Sequence, residues 1–342
     1  MNTNFRENEI LLSIVVPVYN VESYIRKNID SIISLGRNDF ELLLVNDGST
    51  DNSFEIIQQY ATDYPFIKCF TQTNGGQGKA RNRGLENAQG EWILFEDADD
   101  FMLTEGLSKL LNKLGNLNDK VDMVLYNTFS YYESTNSFEN FTSWQYDISD
   151  NGMSGSEFIL QVLRRNPSYG YCAWFYAVRR SLLSINDLKF DSTGTSNDID
   201  FTFKIWNIAK EVYYFDIDVY AYRREQPNSI THSPSEQWMK NVLKRVENNL
   251  DYMDTIFLSR ELKNYYIMSF FHLYLVVLSI LTQYNYTDKV ELMELMRKIN
   301  SRLLVNTPVF LFKVPIKFFI AYIFNRILPL NIFLNLWKLK SL

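Results

Sequence analysis

Between Glu96 and Asp100, four acids fall within five residues, directly after the apolar run Trp92-Ile-Leu-Phe95. Carboxylates held this close repel by roughly 4 kcal/mol per pair at 4 Å in an effective dielectric near 20, so the cluster invites a divalent metal or another cationic partner. Asp97 and Asp99, spaced as Asp-x-Asp, are the first candidates. They offer hard oxygen ligands and leave most of a small cation's shell for phosphate and water. A solvated acidic turn is the plain alternative for such a pair taken alone.

The elements that would position these acids are legible as a rhythm. Ser13-Ile-Val-Val-Pro-Val-Tyr-Asn20 and Phe40-Glu-Leu-Leu-Leu-Val-Asn-Asp47 read as apolar strands, 66–70 as a weaker one, and the run from Trp92 as another. Ile25, Ile29, Ile32 and Ile33 follow helical spacing and stop at Gly36; Phe54, Ile57 and Tyr60 continue a second helix that ends before Pro65; 79–88 forms a third. Strand and helix in alternation imply parallel βαβ units and a sheet covered on both faces. Ligands of such a sheet gather at the carboxyl ends of its strands. Asn20, Asp47 and the acids from Asp97 to Asp100 all lie at such ends.

Two familiar nucleotide loops are excluded. Gly75-Gly-Gln-Gly-Lys-Ala-Arg81 fails as a P-loop because Thr73 and Ala80 stand where Gly and Ser or Thr are needed. It fails as a dinucleotide fingerprint because Arg81 replaces the third glycine. A sugar-1-phosphate nucleotidyltransferase would need a Gly- and Arg-rich loop after the first strand, where Tyr19-Asn-Val-Glu22 stands.

Four blocks, Val16-Pro-Val-Tyr-Asn20, Val45-Asn-Asp-Gly-Ser-Thr-Asp-Asn-Ser53, Asn74-Gly-Gly-Gln-Gly-Lys-Ala-Arg-Asn-Arg-Gly84 and Gly90-Glu-Trp-Ile-Leu-Phe-Glu-Asp-Ala-Asp-Asp100, resemble in order and spacing the nucleotide-binding half of the family 2 glycosyltransferases. The resemblance is strong over 10–102, moderate over about 170–232 and absent beyond. It implies a GT-A fold, a Rossmann-like mixed α/β sheet flanked by helices, and inverting transfer from a UDP-sugar with Mn²⁺ or Mg²⁺. By the same resemblance Asp99 holds the metal most directly and Asp97 contacts the donor sugar or ribose while sharing the ion. Pro17 and Tyr19 flank the uracil, with Asn20 beside them at the strand end. Asp47 accepts from the uracil ring N–H, Arg81 lies near the nucleotide with Asn82 beside it, and Gly84 marks close helix packing. Without the resemblance Asp47 reads as the turn residue of Asn-Asp-Gly.

A transferase of this kind needs a group to accept the proton of the attacking hydroxyl. Ser196-Asn-Asp-Ile-Asp200 opens an amphipathic helix with Ile199, Phe203 and Trp206 on one side, and resembles the family's Glu-Asp catalytic helix with Asn197 in place of the Glu. Asp198 matches the base, and Asp200, about 200° further round, faces elsewhere. Without the neighbouring Glu, and at a positive helix end, Asp198 is a weak base. Tyr220-Ala-Tyr-Arg-Arg-Glu-Gln-Pro-Asn-Ser-Ile-Thr-His232 resembles the family's closing segment, in which Arg223 or Arg224 would neutralise diphosphate and His232 would add a metal ligand. Among the aromatics, Tyr131, Tyr132, Trp144 or Trp174 would stack on an acceptor sugar.

Length and charge divide the chain. Of 342 residues, the resemblance implies a glycosyltransferase domain over 1–232, with a nucleotide half over about 10–102 and an acceptor half over about 103–232, and 233–342 is expected to be a helical region. Two cysteines make no disulfide framework, and the start shows no secretory pattern. Residues 295–342 carry eight Lys or Arg and no acid, whereas the first 294 carry 26 basic against 40 acidic residues. Basic, apolar helices of this kind lie on an anionic membrane surface or against a partner, and the acidic body disfavours nucleic acid. Residues 265–287 hold no Asp, Glu, Lys or Arg and are long enough to cross a bilayer, yet their polar members suit a buried helix. The resulting expectation is a cytoplasmic enzyme attached peripherally to the inner face of the membrane, acting on a lipid-linked or polymeric saccharide. The alternative is an inactive sugar-nucleotide or glycan-binding module that kept the fold.

Overall fold

The computed structural model describes residues 10–142, 152–166, 171–226, 235–283 and 289–305. Three βα units open the chain: β1 (Leu12–Val18) and α1 (Ile25–Ile33), β2 (Phe40–Asn46) and α2 (Ser53–Asp63), β3 (Ile67–Thr71) and α3 (Gln77–Asn87). They lead into β4 (Trp92–Phe95), the two-residue β5 (Phe101–Met102) and α4 (Thr104–Leu114). Every residue of β1, β2 and β4 is buried, as continuous apolar strands must be when both faces of their sheet are covered. A Cβ on Gly84 would overlap Val15 Cγ1, so glycine alone lets α3 lie this close to β1.

The sheet continues with β6 (Met123–Tyr132), β7 (Ser137–Thr142), β8 (Tyr176–Arg179) and β9 (Val212–Arg223) in the order β3-β2-β1-β4-β8-β6-β9-β5, with β7 on the edge of β6. β1 through β4 pair in parallel, whereas β8 runs antiparallel to both β4 and β6. The mixed α/β sheet expected from the sequence is therefore present. After Asn127 the chain stays in the sheet: β6 runs on to Tyr132 and turns back as β7. Alternation explains this: Phe129 and Tyr131 pack on one face with Phe138, and Thr128 and Ser130 occupy the other. β5 pairs with β9 through Phe101 and Ala221, which fastens the acidic turn after β4 to a strand more than a hundred residues later.

The chain packs as two units, each discontinuous in sequence. The first comprises Met1–Gly155, Cys172–Thr193 and Lys204–Pro227; the second Ser156–Tyr171, Gly194–Phe203 and Asn228–Leu342. α5 (Gly155–Arg165), α6 (Arg180–Ile185) and α7 (Asp198–Ile208) precede α8 (Glu236–Met253), α9 (Arg260–Gln283) and α10 (Lys289–Val305). In the second unit Phe203 packs at ring distances of 4.6 Å from Tyr266 and 5.4 Å from Phe270. α9 is long and apolar enough to cross a membrane by length and composition, but Tyr266, Ile267, Phe270, Tyr274, Val277 and Leu278 along it are buried within the protein. That burial is what a core helix shows.

Candidate functional site

In the first unit, the carboxyl ends of β1, β2 and β4 meet at one rim of the sheet. Pro17 is buried within β1, whereas Tyr19 just beyond it is 47% exposed. Asn20 has φ +52°, a left-handed conformation that asparagine tolerates, and its Oδ1 accepts from the Thr50 amide at 2.8 Å. Asn20 thus ties the loop after β1 to the loop after β2. Asp47, buried at the end of β2, accepts from Gln72 Nε2 (2.8 Å) and from the amides of Gly75 (2.9 Å) and Gly76 (2.7 Å). Its carboxylate therefore shapes the Gly-rich loop at the positive N-terminal end of α3, with one of about four lone-pair positions left over.

α3 sends two donors to the acids. Gln77 Nε2 and Arg81 Nη2 both donate to Asp97 Oδ1, at 2.8 and 2.7 Å. Arg81 is buried against the face of Phe190, so its charge is held in place by packing and not merely solvated. Asn82 beside it exchanges two 2.8 Å hydrogen bonds with the main chain of Phe190.

The acidic turn is held from below and from the far side. Asn28 Nδ2 on α1 donates to the carbonyls of Asp97 (3.3 Å) and Asp100 (3.1 Å). Asp100 accepts from Tyr220 Oη at 2.6 Å and from the Arg223 amide at 2.8 Å, and burial followed by Asp99 and Asp97 pushes its carboxyl well above the usual range. Burial, then the neighbouring Asp97, pushes Asp99 up to about 6, opposed by Gln226 and the Arg223 charge. Asp97, Asp99 and Asp100 each present an oxygen within 4.8 Å of the others. Three hard donors at this spacing suit Mg²⁺ or Mn²⁺. Because Asp100 is committed to Tyr220 and Arg223, Asp97 and Asp99 are the pair left to face an ion.

Arg223 is placed differently from a diphosphate ligand. Its Nε donates to the Asp99 carbonyl (2.9 Å), its Nη1 pairs with Glu133 (2.5 Å), and its guanidinium lies over the Tyr24 ring. It braces the acidic turn from inside the protein. Arg224, the next residue, is exposed. Tyr131 and Trp174 are core residues at 5% and 4% exposure, which leaves Tyr132 as the partly exposed one of the described candidate aromatics. Trp144, His232 and the basic tail beyond residue 305 lie outside the described residues.

In the second unit, Asp198 is the first residue of α7 and half-buried. Asp200 turns away as its helical angle requires, paired with Arg245 Nη1 (3.2 Å) and Asn248 (3.3 Å) in the interior.

Tyr220, Asn28, Gln77 and Glu96 were not singled out by sequence reasoning for the roles they play at the rim. Only Glu96 carried a signal, as the first acid of the cluster. It is fully buried, and burial, then Asp97, pushes its carboxyl well above 4.5, with the Asn28 side chain beside it. An acid with a raised folded pKa keeps its proton in the fold while the unfolded chain loses its own, so the stability it contributes is complete below 4.5 and declines as pH rises toward the folded value. Glu96→Gln is therefore expected to melt above the wild type at pH 8, with the gap closing toward pH 4.5. A carboxyl whose folded pKa stands one unit above its unfolded pKa costs about 1.4 kcal/mol of stability once pH exceeds both. Parallel melting curves at every pH would show that Glu96 carries its ordinary charge.

A mixed sheet that collects an Asp-x-Asp turn, a strand-end acid and a buried arginine at one rim defines the class: a glycosyltransferase of the GT-A plan. The chain belongs to glycosyl transferase family 2, whose model matches residues 13–185. It is 31% identical over 237 residues to the uncharacterized glycosyltransferase EpsJ of Bacillus subtilis, covering 69% of this chain and 67% of that one. Glycosyltransferase GlyA of Streptococcus pneumoniae is also 31% identical, over 242 residues, but the match spans only 34% of its length against 70% of this chain. Among solved structures, S. aureus TarS 1-349 in complex with UDP-GlcNAc shares the fold, with a TM-score of 0.69 at 18% identity over 97% of this chain and 91% of that one.

Proposed function

We propose that this protein transfers a sugar, with inversion, from a UDP-sugar to a hydroxyl of a lipid-linked or polymeric saccharide in surface-polysaccharide synthesis. The observation that carries the reading is the Asp97–Asp99 pair, braced by Arg81, Gln77, Asn28 and Arg223 so that two carboxylates face one spot. Asp99 and Asp97 would hold Mn²⁺ or Mg²⁺, which when bound neutralises the charge developing on a diphosphate leaving group. Gln77 and Arg81 keep Asp97 aimed, Tyr19 offers an exposed ring to the base, and Asp47 retains one acceptor position for its ring N–H. His232 would be a further metal ligand. Asp198 would take the proton of the attacking hydroxyl as the new bond forms. TarS, named as complexed with UDP-GlcNAc and with UDP, supports a uridine donor.

The test is thermal stability with UDP, GDP and ADP, each with and without Mn²⁺. Ligand at 100 times its Kd adds about 2.7 kcal/mol, and UDP is expected to raise the melting temperature only when metal is present. No response to any nucleotide would instead favour the inactive-module reading, to which Asn197 in place of Glu already points.

The localisation belongs to the same proposal: peripheral attachment to the cytoplasmic face through the basic tail. Removing residues 306–342 is expected to release the protein from anionic vesicles in a sedimentation assay while the UDP response persists. Continued vesicle binding would move the membrane contact to another segment.

A further inference from the structure

β9 carries a row of side chains outward from the acids. Tyr220, whose hydroxyl reaches Asp100, is followed at two-residue spacing by Tyr222 and, one residue past the end of β9, by Arg224. Trp174 lies flat under this row, stacked on Tyr220 at 4.8 Å with 5° between planes and on Tyr222 at 5.4 Å with 21°. Phe141 of β7, 39% exposed, closes the other side at 5.6 Å from Tyr222 and 5.7 Å from Trp174. The Arg224 guanidinium sits 5.3 Å over the partly buried Tyr222 ring and 6.0 Å over the exposed Phe141 ring, and among the described residues it forms no ion pair. Its neighbours Glu133 and Glu225 are occupied with Arg223 and Ser134.

This combination is specific in what it selects. The exposed Phe141 ring, packed beside a buried tryptophan, offers stacking area to a sugar ring at little entropic cost. A planar guanidinium held over Phe141 and Tyr222 can match a carboxylate or phosphate through two parallel N–H donors. Resting on the transfer reading above, the geometry points to an acceptor subsite at Phe141, Tyr222 and Arg224 that takes a saccharide bearing an anionic group, next to the acids where transfer occurs. The anion is either a phosphate ester or a uronic acid carboxylate.

The experiment uses the full chain with three probes, methyl glucoside, glucose 6-phosphate and glucuronic acid, titrated by saturation-transfer NMR. Each titration is run with UDP and Mn²⁺ present, so that the phosphate probe cannot occupy the donor site, and repeated with neither. At least one anionic probe is expected to bind roughly fivefold tighter than the neutral one, a factor in the range of an exposed charge pair. The tighter of the two anionic probes identifies the group. Arg224→Gln is expected to bring all three probes to the same affinity, Arg224→Lys to restore part of the difference, and Phe141→Ala to weaken all three alike. Equal binding of neutral and anionic probes to the wild type would overturn the proposal, as would a preference that survives Arg224→Gln. Loss of the UDP melting shift in Arg224→Gln would assign Arg224 to the donor diphosphate instead, and would likewise overturn it. A wild type that ignores UDP but discriminates the probes would sink the donor reading and leave this subsite standing.

Discussion

Asp99→Asn is expected to abolish metal-dependent UDP binding and to lower transfer by on the order of 10²–10³, the loss typical of removing one electrostatic stabiliser of a developing anion. The substitution keeps the size of the side chain and removes its charge. Asp97 cannot compensate, because its Oδ1 already serves Gln77 and Arg81. Asp100 cannot either, because Tyr220 and the Arg223 amide hold both of its oxygens. The wild type should also show a pH signature. With no metal, Asp99 favours its proton, so the stability it contributes is complete below the ordinary 3.8 and is lost as pH rises through about 6. Metal needs the carboxylate, so Mn²⁺ affinity should rise across the same interval. Metal-free melting curves across the same pH range check the first statement, and calorimetric titration of Mn²⁺ with UDP checks the second. Unchanged Mn²⁺ dependence in Asp99→Asn would refute the ligand assignment.

Asp198→Asn is expected to separate binding from chemistry. UDP with Mn²⁺ should stabilise the variant as it does the wild type, while turnover falls by about 10²–10⁴, the usual contribution of a positioned base. Asparagine preserves the half-buried start of α7, and the interior pair of Asp200 with Arg245 anchors that helix independently of residue 198. The measurement is single-turnover transfer beside the UDP melting shift. Full activity would move the base elsewhere, and loss of the UDP response would make Asp198 a donor residue.

Much of the rim was readable because its signals are local. The acids follow an apolar strand, the glycines of 75–78 open a helix, and the isoleucines of α1 fall at helical spacing, so short-range pattern placed Asp47, Asp97 and Asp99 just after strands and Arg81 in the opening turns of a helix. The bracing was not readable. Asn28 lies about seventy residues from the carbonyls it holds, Tyr220 lies 120 from the Asp100 carboxylate and Arg223 lies 124 from the Asp99 carbonyl. Two adjacent arginines illustrate the same limit: Arg223 and Arg224 are equivalent as letters, but strand alternation buries one against Tyr24 and exposes the other over Tyr222.

The sequence by itself determined the βα rhythm, the family and the candidate ligands, because periodicity and the chemistry of side chains at strand ends act over a few residues. Only the tertiary structure decided that β8 enters the sheet antiparallel, that Asp100 is a buried brace while Asp97 and Asp99 stay partly exposed, and that Trp174 is a buried platform. Those assignments depend on which distant side chain fills each hydrogen-bonding position, and that is settled when β5 and β9 pair and the burial of each acid is set.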